Sequence, residues 1–273
     1  MNNKISLAGD LGSGKSTVSA ILKQMLGYET YSTGALVREI AKKHGMSVVE
    51  LNVYMETHPE IDHEIDDGLR QLANDPRGLI IDSRMAWHFT AGTFKVYLTA
   101  DVETASLRIM NSHRDGEHAA TLEETIRNTK NRRSSENKRY FEQYGVHITD
   151  MSNYDLILDT TYATPEEIAN TLVSEYEAWK NDPDYQRVMI SPERLLYPDD
   201  APDGETVASL SSILEEGAPI PTVVVSERDG EYYVKDGVES ALAYAFNMNT
   251  FVPAVLFPFE EDGKCYVRMK NSL

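Results

Sequence analysis

The stretch Gly9-Asp-Leu-Gly-Ser-Gly14-Lys15-Ser16-Thr17 constrains this chain more than any other, because it dictates what must lie on either side of it. It matches G-x-x-x-x-G-K-[ST], a loop whose backbone amides cradle phosphate groups between a strand and a helix. Ile5, Leu7 and Ala8 upstream form a short apolar run that reads as a buried strand. Downstream, Val18, Ile21, Leu22, Met25 and Leu26 recur at three- and four-residue spacing, which predicts a helix. Gly9, Gly12 and Gly14 let the backbone curl until several N–H groups, that of Ser13 among them, face one point. The helix dipole adds partial positive charge at the same place. Lys15 is then expected to reach the β- and γ-phosphates of a nucleoside triphosphate, with Ser16 offering a hydroxyl to Mg²⁺ and Thr17 closing the loop.

Composition narrows the classes that remain. A formal charge of -18 over 273 residues argues against a non-specific nucleic-acid binder, which needs a basic face. An apolar content of 41% is ample for a buried core, and the length allows one large or two modest domains. The lone cysteine, Cys265, excludes an intrachain disulfide and fits a reducing cytosol. With no run of 18 apolar residues and no charged-then-apolar leader, a soluble cytoplasmic protein without membrane contact is expected.

Apolar runs at Gly78–Asp82, Phe94–Leu98 and Tyr154–Leu158 read as further buried strands. Thr164-Pro-Glu-Glu167 is a capping box with proline at the first helical position, and Thr121-Leu-Glu-Glu124 is another capping box. Alternating strands and helices predict an α/β fold: a parallel sheet flanked by helices, with ligands beyond the carboxyl ends of its strands. The helix from Pro165 ends near Trp179, and the breaker-rich Asn181-Asp-Pro-Asp-Tyr185 follows. The division expected is a first domain over 1–182 and a smaller α+β domain over 187–273. In the latter, a helix near Val207–Glu216 stops at Gly217, and Thr222–Ser226 and Tyr232–Lys235 flank the hairpin signal Arg228-Asp-Gly230. A helix near Val238–Phe246 and a strand at Phe251–Phe257 complete it.

One basic run stands out in this acidic chain: Arg127, Lys130, Arg132, Arg133, Lys138 and Arg139, opposed by Glu136. Such a run is commonly a solvated helix face. Beside a polyphosphate site it also suits phosphate recognition, since planar guanidiniums grip phosphate oxygens bidentately. Arg132 and Arg139, seven apart, share one face of a helix.

These blocks together resemble the nucleoside monophosphate kinases, and among them the archaeal-type cytidylate kinases, over about residues 3–180. Tyr31-Ser-Thr-Gly-Ala-Leu-Val-Arg-Glu-Ile-Ala41 is similar to the family's S-x-G-x-x-x-R-E-x-A block, and Pro59-Glu-Ile-Asp62 to its P-E-I-D segment. Ile81-Asp82-Ser83-Arg84 stands where the family has E-G-R, and Ser135-Glu-Asn-Lys-Arg139-Tyr140 resembles its arginine-bearing lid. The resemblance implies that Arg38 and Arg84 hold the acceptor phosphate and that Ser32 and Asp62 lie around base or sugar. It implies that Arg108 sits at the ATP side, and that Arg114, Arg132 and Arg139 close over the transferred group with Lys15. Asp82 keeps a carboxylate where the family has Glu, so a part in orienting Mg²⁺ beside Ser16 is expected. His113 and His118 complete no recognised metal spacing and are expected to face solvent.

The later part is similar, more faintly, to the ParB/sulfiredoxin-like fold, through Ser191-Pro-Glu-Arg-Leu-Leu, Pro219-Ile-Pro-Thr-Val-Val-Val and Tyr233-Val-Lys-Asp-Gly237. Where that fold carries G-x-[HR]-R-x-x-A, this chain reads Gly237-Val-Glu-Ser-Ala-Leu-Ala243, so the phosphate-binding charge is missing. An accessory or oligomerisation role, with a second copy or another protein as partner, is expected there. The leading expectation is ATP-dependent phosphorylation of a nucleoside monophosphate, CMP or dCMP foremost. The alternative is a regulatory module whose kinase half, on binding nucleotide, gates the later domain.

Overall fold

Strands that carry apolar side chains on both faces must be covered on both faces, and this sets the plan of the first half. A computed structural model describes residues 3–112, 121–182, 185–199 and 202–268. β1 (Lys4–Gly9), β2 (Glu29–Ser32), β3 (Leu79–Asp82), β4 (Phe94–Thr99) and β5 (Leu156–Asp159) pair in parallel in the order β2-β3-β1-β4-β5. β1, β3 and β5 are buried at every position. The helices between them are α1 (Lys15–Leu26), α2 (Thr33–Lys43), α3 (Val48–Met55), α4 (Pro59–Leu72), α5 (Ala86–Phe89), α6 (Val102–Asn111), α7 (Leu122–Tyr144) and α8 (Pro165–Trp179). Start signals are used as expected. Thr164 and Glu167 form a capping box at α8, and Thr121 accepts the Glu124 amide at α7. All parallel strands point their carboxyl ends to one edge, so the loops after β1, β3, β4 and β5 converge there.

Past residue 187 come β6 (Arg187–Ile190), β7 (Leu195–Pro198), α9 (Gly204–Glu215), β8 (Val223–Arg228), β9 (Glu231–Asp236), α10 (Val238–Phe246), β10 (Val252–Leu256) and β11 (Tyr266–Arg268). The hairpin expected at Arg228-Asp-Gly230 is present. Asp229 (φ +55°) and Gly230 (φ +82°) adopt the left-handed pair that such a turn requires. β6 lies parallel to β5 and antiparallel to β10, so it carries the sheet across the junction. Among the described residues the result is one eleven-stranded sheet, β11-β7-β9-β8-β10-β6-β5-β4-β1-β3-β2. The core runs with it. Tyr97, Tyr154 and Ile157 pack in one buried cluster with Val188, Ile190, Leu195, Val223, Tyr232 and Val252.

Candidate active site

Steric demands shape the phosphate loop. A Cβ on Gly9 would stand 2.2 Å from the Leu98 carbonyl oxygen, and one on Gly12 would stand 2.3 Å from that of Ala105. Both positions also hold positive φ, +140° and +81°. The loop is thereby pressed against β4 and α6, and α1 starts at Lys15 from a left-handed Gly14 without a side-chain cap. Its first-turn amides are thus free of side-chain competition for an anion. Lys15 Nζ folds back on the loop, donating to the carbonyls of Gly9 (3.2 Å) and Asp10 (2.6 Å) and to the Ser13 hydroxyl (3.3 Å). Burial and then the nearby Arg84 charge push the Lys15 pKa down to about 7, with Asp82 pulling the other way. Phosphate oxygens would relieve both effects.

At the carboxyl end of β3, Asp82 Oδ2 accepts from Ser16 Oγ at 3.2 Å and from Ser32 Oγ at 3.5 Å. Ser32 has a second task as the N-cap of α2, accepting the Ala35 amide. Ser16 and Asp82 give two hard oxygen donors in contact beside the loop, a donor set that fits Mg²⁺.

Lys15, Ser16, Ser32, Arg38, Asp82, Arg84 and Arg132 line one cleft. Glu136 organises two of its arginines: Arg84 Nε and Arg132 Nε each lie 3.1 Å from one of its carboxylate oxygens. Burial opposes that charge, but the guanidiniums of Arg84, Arg132 and Arg133 hold the Glu136 carboxyl well below the usual carboxylate range.

The cleft opens on two further pockets. On one side, Thr17, Val18, Arg108, Ala163, Pro165 and Ile168 form a wall next to the loop. Arg108 donates there to the Thr160 carbonyl (2.6 Å) and hydroxyl (3.2 Å). On the other side, Val37, Met55, Ile65, Asp62 and Arg139 line a smaller pocket. Arg139 Nε lies 2.9 Å from Asp62 Oδ2, both side chains being buried, and Arg139 Nη1 donates to the Asn52 carbonyl at 3.2 Å. Burial raises the Asp62 pKa against the pull of Arg139, and raises that of its neighbour Asp66 to about 6.

Of the residues expected from the sequence, the structure brings together the loop, Ser32, Arg38, Asp82, Arg84 and Arg132. It sets Asp62 with Arg139 and puts Arg108 by the loop's far side. Arg114, like His113 and His118, lies outside the described residues. The basic run divides: Arg127, Lys130 and Lys138 are exposed, while Arg132, Arg133 and Arg139 point inward. Sequence reasoning missed Glu136 as the hub, and missed Arg133 and Asp10. Arg133 Nη2 donates to the Gly9 carbonyl (3.1 Å) and to Asp10 Oδ1 (3.0 Å). Asp10 also accepts from Tyr97 OH (2.7 Å) and from Thr99 Oγ1 and the Ala100 amide (3.0 Å each). A charged residue within the loop was the available signal.

The model of the Cytidylate kinase-like family matches residues 4–162, more than half of the chain. The chain belongs to this family. The cytidylate kinase of Thermoplasma volcanium is 39% identical over 170 residues, covering 61% of this chain and 87% of the relative. An S-adenosylmethionine-dependent nucleotide dehydratase of Lacinutrix mariniflava is 36% identical over 178 residues, covering 65% of this chain and 36% of that longer protein. The sulfiredoxin structure from Arabidopsis thaliana overlaps 27% of this chain and 86% of its own, with 18% identity and a TM-score of 0.25. As a member of this family the protein is a nucleotide kinase, and ATP is the donor that a kinase family implies. Among the described residues no helix is long and apolar enough to cross a membrane.

Proposed function

We propose that this kinase transfers the γ-phosphoryl group of ATP to CMP or dCMP. The observation that carries the reading is the convergence of Lys15, Ser16, Asp82, Arg38, Arg84 and Arg132 on one cleft, with a pocket at either end. Phosphoryl transfer asks a protein for alignment and charge neutralisation rather than covalent participation. The pocket by Arg108 and Ala163 then receives the ATP base, and the loop amides and Lys15 hold its phosphates. Arg38 and Arg84 take the acceptor phosphate, and Arg132 neutralises charge on the group in flight. Glu136 keeps Arg84 and Arg132 spread apart and oriented before substrate arrives, which lowers the reorganisation cost of the reaction. Ser16 and Asp82 would hold Mg²⁺, which when bound supplies further neutralisation of phosphate charge.

The choice of base rests on Asp62 and Arg139. Cytosine presents an amino donor beside ring acceptors. A carboxylate next to a guanidinium matches that order, accepting from the amino group and donating to the ring. Uracil would set its carbonyl against the carboxylate, and an unpaired buried polar group discriminates strongly. Residues 1–182 form the catalytic unit in this reading, with 187–273 an appended region sharing its sheet.

The test is ADP release from purified protein with Mg-ATP across a panel of ribo- and deoxyribonucleoside monophosphates. CMP or dCMP is expected to exceed all others. Silence across the panel with ATP still bound would overturn the reading in favour of a nucleotide-gated module.

A further inference from the structure

Arg194 lies in the appended region, yet it is 3% exposed and sits at the carboxyl end of β5. Its Nη1 donates to Asp159 Oδ1 (3.1 Å) and to the Thr161 hydroxyl (2.9 Å). Its Nη2 donates to the Gly230 carbonyl (2.7 Å), in the turn between β8 and β9. Asp159 is fully buried and also accepts the Thr161 amide (3.0 Å) and hydroxyl (2.6 Å), together with the Ser191 amide (3.2 Å). One guanidinium thus ties the end of a kinase strand to a hairpin 36 residues further along the chain than itself.

The consequence appears at the carbonyls of the same segment. The carbonyls of Thr160 and Thr161 accept Arg108 Nη2 at 2.6 and 3.2 Å. Arg108 and Ala163 are walls of the pocket beside the phosphate loop. The segment from Asp159 to Thr161 is therefore held by Arg194 through the side chains of Asp159 and Thr161, while its carbonyls at Thr160 and Thr161 hold Arg108. We infer that Arg194 is a positioning residue for the donor nucleotide, so that the appended region completes the ATP pocket through Gly230, Arg194, Thr161 and Arg108. The inference rests on reading that pocket as the donor site. Lysine in place of Arg194 would keep a charge beside Asp159 but could not span Asp159, Thr161 and Gly230 with one rigid fork.

The test compares full-length wild-type protein with Arg194→Lys, measuring KM for ATP and for CMP separately. The KM for ATP is expected to rise about tenfold while KM for CMP stays within about twofold. A purely structural role would lower the active fraction, and hence kcat, leaving both KM values alone; that result overturns the inference. Hydrogen exchange on the wild type gives an answer even if the variant does not fold. A non-hydrolysable ATP analogue is expected to slow exchange in the hairpin at residues 227–231, and an unchanged hairpin overturns the inference. Wild-type protein with no turnover of ATP and CMP would instead sink the proposed function, and this inference with it.

Discussion

Among the described residues, two strand-to-helix junctions start a helix from a left-handed glycine. Gly14 (φ +84°) opens α1 and Gly237 (φ +74°) opens α10, and neither helix has a side-chain cap. Their surroundings differ in every other respect. At the first, a loop of several residues bends back over the helix end, and Lys15, Arg84 and Arg132 line the cleft before it. At the second, β9 runs directly into the helix, the Gly237 amide is taken by the Asp236 carboxylate at 2.9 Å, and Glu239 occupies the first turn. The glycine there answers to packing, since a Cβ would stand 2.8 Å from the Thr222 carbonyl oxygen. Open first-turn amides are common to all helix starts. A phosphate site needs them to be wrapped by a loop and surrounded by cations, and the appended region has neither at this junction.

The contrast can be broken or sharpened by substitution, beginning with the largest effect. Lys15→Ala is expected to lower kcat by about two to four orders of magnitude, because preorganised charge is the main catalytic contribution. Steady-state ADP release measures it, and near-normal turnover would remove the first junction from the mechanism. Next come matched glycine changes. Gly12→Ala drives its Cβ into the backbone of α6 and should weaken ATP binding at least tenfold while lowering Tm. Gly237→Ala should cost about 1–3 kcal/mol of stability from strained backbone and leave the KM for ATP unchanged. A shift in that KM would mean the second junction is not separate from the site.

Buried charge gives a smaller and pH-dependent effect. The carboxylates of the second junction reach solvent, whereas Asp66, in the pocket lined by Asp62 and Arg139, is buried, its pKa raised from 3.8 to about 6, by burial first and then by the Asp62 charge. Between those values the folded state keeps a proton that the unfolded state releases, so stability falls as pH rises through this window. Asp66→Asn should match the wild type in melts near pH 4 and exceed it by on the order of 2 kcal/mol at pH 7–8. A constant difference across pH would contradict the assignment. The smallest effect is at α10, where Glu239→Lys sets a positive charge against the helix dipole. It should cost about 0.3–1 kcal/mol and should not create phosphate affinity, as calorimetry with inorganic phosphate would show.

Much of the fold was legible because its signals are local. β1, β3, β4 and β5 are apolar runs between turn signals, α8 announces itself by a capping box, and the β8–β9 hairpin by Asp-Gly. β2 was not legible: Glu29-Thr-Tyr-Ser is a half-exposed edge strand with no apolar alternation. β6 was missed too, being four residues directly behind a run of breakers. Within the site, Lys15 and Ser16 followed from a contiguous motif, and Arg38, Arg84 and Asp62 from resemblance. The Glu136–Arg84 contact, the hold of Arg133 on the loop and the reach of Arg194 to Asp159 were beyond reading, since each joins residues distant in the chain.

By itself, the sequence determined that a strand, a glycine-rich loop and a helix stand near the start of the sequence, that a parallel sheet follows, and that a second rhythm begins near residue 187. Those are consequences of periodicity and backbone freedom, which act over a few residues. The tertiary structure decided that the second rhythm joins the same sheet through β6, and that Glu136 divides its charge between Arg84 and Arg132. It also set which arginines face the cleft and which face water. Such choices depend on which side chains meet after burial, where a charge persists if a partner lies within hydrogen-bond reach.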